Sequence, residues 1–310
     1  MKCQKSLAGF TIIEVMIFLA VSGGLLISAI ATISGQQGRT QFTTGVREFE
    51  SRIQDLINDV ETGYFPSNLQ LECRIGGDSG PDFDIDATVS QGTNQECVFL
   101  GKALQFYKNN EGLIASYRTV NIAGIRQATN PLTGKKEEPD SLEAFKPRAV
   151  YKLNAPVALE NFEIPFGIAV TKIRYITGFN PLNSNSDYEG LAIVPSYTLQ
   201  NTNNIVSNLG NGRSSIAALD GDPGFNDYYN IEPTGLPASI KTLSNASIAA
   251  ASKGTVICLS DGGGRKAAVA IGVQLAEGAG GVFEAQSTNQ RLATEVFVDD
   301  QAATLGCTDA

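Results

Sequence analysis

The chain has 310 residues, with 32 acidic side chains against 23 basic ones, a net charge of −9, 42% hydrophobic residues and no histidine. Without histidine a Ser-His-Asp triad or a Cys-His pair is impossible and the commonest transition-metal ligand is missing. The acidic balance argues against a nucleic-acid surface made by overall charge, and the length admits one large domain or one domain with insertions.

The first predicted element is an apolar helix. From Phe10 to Ile33 there are 24 residues with no Lys, Arg, Asp, Asn or Pro, and as a helix they span about 36 Å, enough for a bilayer core. Glu14 alone interrupts them. A carboxylate there costs roughly 2.5 to 3.5 kcal/mol on insertion, so it reads as functional and calls for a partner, which a new amino terminus would supply. The residues before it form a short basic leader, Met1-Lys2-Cys3-Gln4-Lys5-Ser6-Leu7-Ala8-Gly9, followed by Phe10-Thr11-Ile12-Ile13-Glu14-Val15.

This arrangement resembles the type IV prepilin signature: glycine before the cut, phenylalanine after it, glutamate at the fifth mature position. The resemblance implies that a membrane aspartyl peptidase cleaves between Gly9 and Phe10 and N-methylates Phe10. It implies that Thr11 and Glu14 serve assembly, Glu14 neutralising the amine of a neighbouring subunit as helices bundle. Two plainer readings stand beside it. A secretory signal would use Ala29-Ile30-Ala31 as its small-residue site, although it would carry no acid in its core. A signal anchor would account for Lys2 and Lys5 but not for Gly9-Phe10 or Glu14.

The absence of proline from Met1 to Phe65 allows one helix from Phe10 to about Thr62. Its second half, 34–62, is amphipathic: Val46, Phe49, Ile53, Leu56, Ile57 and Val60 recur at steps of three and four, with Arg47, Glu50, Arg52, Asp55 and Asp59 on other faces. The stripe predicts packing on a sheet. Gly23, Gly24, Gly35, Gly38 and Gly45 are either bending points or sites of close helix packing. Gly63 and Pro66 end the helix, and an Asp-rich polar segment from Cys73 to Cys97 follows.

Strands come next. Residues 97–107 and 113–120 flank Asn109-Asn110-Glu111-Gly112, a hairpin turn, and further strands are predicted at 148–154, 168–176, 191–197, 255–259, 267–275 and 293–298. Residues 180–215, rich in Asn, Ser and Gly, read as an inserted loop region. Strands that follow one long helix indicate an α+β fold: an N-terminal helix packed on an antiparallel β-sheet head. The organisation is therefore 1–9 leader, 10–33 membrane or filament-core helix, 34–62 amphipathic helix and 63–310 β-rich head.

Four cysteines follow the leader's Cys3, namely Cys73, Cys97, Cys258 and Cys307, and on an exported chain they make two disulfides. Three connectivities are open; sequence proximity favours Cys73 with Cys97 and Cys258 with Cys307. Spacings without a CxxC, and no histidine, argue against zinc.

Three weaker patterns remain. Gly262-Gly263-Gly264-Arg265-Lys266 misses the phosphate-loop spacing and suits a hairpin turn. Asp220, Asp222 and Asn226 place oxygens at intervals that resemble part of a calcium loop, but Pro223 and the missing glutamate depart from it, leaving a weak calcium candidate against an Asx-type turn. Tyr228 and Tyr229 read either as a contact patch or as core packing.

The end of the chain resembles the same family. Cys258 to Leu275, with its Ser260-to-Gly264 turn, looks like the terminal sheet of minor pseudopilins, and Cys307 is placed like the cysteine that ties down many pilin C-terminal loops. Taken together the resemblance implies a pilin-like, non-catalytic subunit without cofactor, of the minor class because of its inserted material. It implies a precursor anchored once in the cytoplasmic membrane with its head outside, then a cell-surface filament. The implied partners are other pilin subunits, the prepilin peptidase and methyltransferase, the assembly platform, membrane lipid and a surface ligand of the head. The alternatives are a pseudopilin of a secretion or DNA-uptake system and a membrane-tethered surface-binding protein.

Overall fold

The computed structural model describes residues 11–63, 71–75, 81–85, 96–107, 113–129, 134–137, 139, 141–150, 159–176, 190–195, 197–200, 204–207, 214–219, 254–275, 283–285 and 291–308. The chain falls into two units, Met1–Thr44 and Gly45–Ala310, divided inside helix α1 (Ile12–Thr62). That helix stops where expected. Gly63 takes a left-handed φ of 66° and its N–H donates to the Val60 carbonyl, a conformation that costs glycine nothing.

The first unit contributes Ile12–Ile30, with mean hydropathy 2.2 and none of the window buried, long and apolar enough to cross a membrane. Its large side chains face outward, from Val15 at 46% exposure to Ile12 at 81%.

The second unit is an antiparallel β-structure on which the rest of α1 lies. Its strands in chain order are β1 (Leu71–Ile75), β2 (Pro81–Ile85), β3 (Cys97–Tyr107), β4 (Ser116–Ile125), β5 (Ala128–Thr129), β6 (Lys136–Glu137), β7 (Arg148–Val150), β8 (Leu159–Glu163), β9 (Ala169–Tyr175), β10 (Gly190–Pro195), β11 (Tyr197–Gln200), β12 (Asn204–Ser207), β13 (Ser214–Leu219), β14 (Thr255–Ser260), β15 (Lys266–Ile271), β16 (Val273–Leu275), β17 (Phe283–Ala285) and β18 (Thr294–Val298). A short helix, α2 (Asp300–Thr304), closes the described chain. Six strands form the larger sheet in the order β13-β10-β3-β4-β7, with β8 also paired to β4. Four form the second, in the order β18-β15-β14-β9, and the remaining strands make two-stranded pairs.

The predicted stripe on α1 is buried throughout: Val46, Phe49, Ile53, Leu56, Ile57 and Val60 are at most 7% exposed. Phe49 sits 6.0 Å from the ring of Phe106 on β3 and 5.4 Å from Tyr117 on β4. Full burial of such side chains is worth roughly 1.5 to 3 kcal/mol each before entropy is set against it. Polar contacts then fix where along the sheet the helix lies. Lys102 on β3 pairs with Asp59, the Ser214 hydroxyl donates to Glu61 at 3.2 Å, and the Thr294 hydroxyl lies 3.1 Å from Glu50 and 3.2 Å from Gln54.

On the other face of the larger sheet, Leu100, Ala103, Val120, Ile122, Ala192 and Val194 form a cluster with Leu142 and Phe145. A second cluster belongs to the four-stranded sheet and includes Val256, Cys258, Ala268, Phe297, Ala302 and Leu305.

Several sequence expectations need correction. Residues 180–215 are not a loop region apart from the strand expected at 191–197, which is β10, because β11, β12 and the start of β13 also lie within them. The short β-branched run Ile205-Val206 lies in β12, paired with β11, although polar residues surround it. The polar segment from Cys73 holds the end of β1 and all of β2, which pair with each other. The predicted strand at 267–275 is broken at Gly272, whose φ of 71° ends β15 and starts β16. Strand β4 begins at Ser116 and runs five residues beyond the expected end at Val120, while β8 and α2 carry no strong local signal. Of the strand expected at 148–154, residues 151–154 lie outside the described residues, as do the turn at 109–112 and Pro66.

Candidate functional site

The amino-terminal end of α1 is built by two side chains. Thr11 precedes the first helical residue, and its hydroxyl accepts a hydrogen bond from the Glu14 N–H at 3.3 Å. In return the Thr11 N–H and hydroxyl each donate to Oε2 of Glu14 at 3.0 Å. This is a reciprocal capping box: it satisfies backbone donors that the first helical turn leaves over and holds the carboxylate against the start of the helix. The sequence carried that signal as Thr11-Ile12-Ile13-Glu14, a T-x-x-E run opening an apolar stretch.

The consequence is chemical. A carboxylate exposed on an apolar helix and held over the helix start is placed to accept a cation from a group close to Thr11. Gly9 and Phe10, the predicted cleavage and methylation residues, lie outside the described residues, so the structure brings together only Thr11 and Glu14 of that set.

A second set of predicted residues lies in the second unit. Cys258 on β14 and Cys307 after α2 form a disulfide with Cα atoms 5.3 Å apart. Cys97 is also disulfide-bonded, and the Cys73 side chain lies outside the described residues. Asp220, Asp222, Asn226, Tyr228 and Tyr229 fall outside them too. Among the described residues no group of three or more His, Cys, Asp or Glu side chains could hold a metal ion.

The glycine-rich run after Ser260 forms the β14–β15 turn. Gly262 and Gly264 have φ of 69° and 92°, and Asp261 organises the turn between them. Its Oδ1 accepts from the Gly263 N–H at 2.9 Å and the Arg265 N–H at 3.1 Å, and its Oδ2 pairs with the Arg265 guanidinium at 2.7 Å. With both oxygens occupied from within the chain, the turn offers no cradle for a phosphate. Partial burial raises the Asp261 pKa, but hydrogen bonds from Gly263 and Arg265 and the Arg265 charge outweigh it, leaving the group below its usual 3.8.

A depressed carboxyl stabilises the fold above its unfolded pKa and loses that contribution as pH falls through the folded value. Asp261→Asn is therefore expected to cost on the order of 1 kcal/mol near neutrality. In urea titrations that cost should shrink steadily once pH drops below about 4. A difference between wild type and variant that stays constant from pH 7 to pH 3 would show that the charge contributes nothing.

Sequence reasoning missed Lys102 and Arg174, which are 6% and 5% exposed. Nothing local marks either, since the burial of a cation on a strand depends on what arrives from a distant segment. Comparison with family models, with curated proteins and with solved structures finds no match to this chain.

Proposed function

We propose that this chain is a type IV pilus subunit of the minor class, assembled into a surface filament after removal of its first nine residues and N-methylation of Phe10. The observation that carries the reading is Glu14: a carboxylate held by Thr11 in the first turn of a helix whose apolar side chains from Ile12 to Ile30 are exposed. A plain membrane anchor gains nothing from an acid that raises its insertion cost. A helix bundled with copies of itself does gain, because the acid can neutralise the amine that cleavage creates.

The second unit supports the reading as a non-catalytic head: an amphipathic helix on antiparallel sheets, closed by a disulfide. In this reading the precursor sits in the cytoplasmic membrane with that head outside, and its partners are the peptidase, the assembly platform and other subunits.

Intact-mass and amino-terminal measurement on native protein tests the proposal. The expected product begins at an N-methylated Phe10, and Gly9→Val should accumulate as an uncut membrane precursor. Native protein beginning at Met1 or Thr32 would overturn the reading in favour of a signal anchor or a secretory signal.

A further inference from the structure

The last described residues form a closed unit of their own. Helix α2 ends in a Schellman motif: the Gly306 N–H donates to the Ala303 carbonyl at 2.9 Å and the Cys307 N–H to the Ala302 carbonyl at 3.1 Å, with Gly306 left-handed at φ 82°. This motif turns Cys307 back onto the second core cluster, where it meets Cys258. Ala302 and Leu305 fill the same cluster, so α2 lies over the disulfide. The two cysteines are only 1% and 3% exposed.

One side chain from across the sheet holds this arrangement. Arg174 on β9, paired in register with Val256 on β14, donates from Nη1 to the Leu305 carbonyl at 3.2 Å. That carbonyl belongs to the helix C-cap, where the intrahelical ladder has run out. The fit is close: a Cβ added to Gly306 would collide with the Arg174 guanidinium.

We propose that Arg174 is a latch controlling redox access to the Cys258–Cys307 bridge. Reduction begins when an external thiolate attacks one sulfur in line with the S–S bond, forming a mixed disulfide and expelling the other cysteine as a thiolate. A second thiol of a dithiol reductant then resolves the mixed disulfide, so the reductant leaves oxidised and both cysteines leave reduced. With α2 seated neither sulfur can be approached, and exchange waits on local undocking of residues 299–308. Closing the bridge in a newly exported chain meets the same constraint in reverse, so a disulfide oxidant acts before the latch engages. The inference stands whether or not the chain assembles into filaments.

The test is the rate at which dithiothreitol reduces the bridge in folded, detergent-solubilised full-length protein, read by alkylation and peptide mass, with the Cys97 disulfide as internal control. Arg174→Met keeps bulk but loses the donor and should accelerate reduction by about ten- to a hundredfold, the range expected from losing a buried charge-assisted hydrogen bond. Arg174→Lys should fall between, and the Cys97 disulfide should be unaffected. Equal rates in wild type and Arg174→Met would overturn the latch. Should Arg174→Met fail to fold, the dependence of the wild-type rate on low urea decides. A slope well below that of global unfolding supports local undocking, and a slope equal to it overturns the proposal.

Discussion

Glu14→Val is expected to leave membrane insertion and the β-rich unit intact while reducing incorporation into filaments by orders of magnitude. Insertion becomes easier because the acid is the costly residue in the span. Assembly suffers because a neighbour's amine would be left without its partner in an apolar core, a loss of about 3 to 5 kcal/mol for a dry charge pair. The capping box adds a smaller effect: without the carboxylate the Thr11 N–H and hydroxyl lose their acceptor, and the first turn of the helix loosens. Glu14→Gln separates the two, since glutamine can also close a capping box but carries no charge. If charge matters, the glutamine variant fails as valine does; if the cap matters, it behaves as wild type. The measurement is the ratio of sheared-filament to membrane-retained protein at equal expression. An unchanged ratio in both variants would remove Glu14 from assembly and favour a simple anchor.

Gly101→Ala should be the most damaging single change in the β-rich unit. Gly101 sits in a bulge of β3 with φ of 122°, and a Cβ there would fall on the carbonyl of Ile193 on the paired strand β10. The obstacle is backbone rather than a side chain, so no rotamer change relieves it; the strands must part. Strain at a glycine-only conformation combined with a broken central pairing should cost about 4 kcal/mol or more, a large share of the 5 to 15 kcal/mol that separates folded from unfolded domains. Chemical denaturation followed by circular dichroism checks this. A loss under about 1 kcal/mol would mean that the bulge can flatten without consequence.

The same bulge shows where sequence reading stops. Strict alternation along β3 would put Leu100 and Lys102 on one face and Ala103 on the other. Instead Leu100 and Ala103 share the far cluster, while Lys102 turns toward α1 and pairs with Asp59. One extra residue at the bulge switches the faces, and its only local trace is a glycine in an otherwise apolar run.

Much was legible because it is local. The apolar span, the amphipathic stripe from Val46 to Val60, the stop at Gly63 and the turn after Ser260 each follow from spacing or from a residue's own conformational range. The capping box had a local signal in Thr11 and Glu14, but the sequence reading assigns those residues to assembly, and the reciprocal hydrogen bonds emerge only from the structure. What only the tertiary structure decided are the contacts between segments far apart in the chain: Arg174 beneath Leu305, Thr294 against Glu50, and Ser214 against Glu61. Periodicity encodes which face of an element is apolar, but not which distant element will cover it. A buried cation or hydroxyl is tolerated only once that partner has arrived, so these residues became recognisable only with the fold around them.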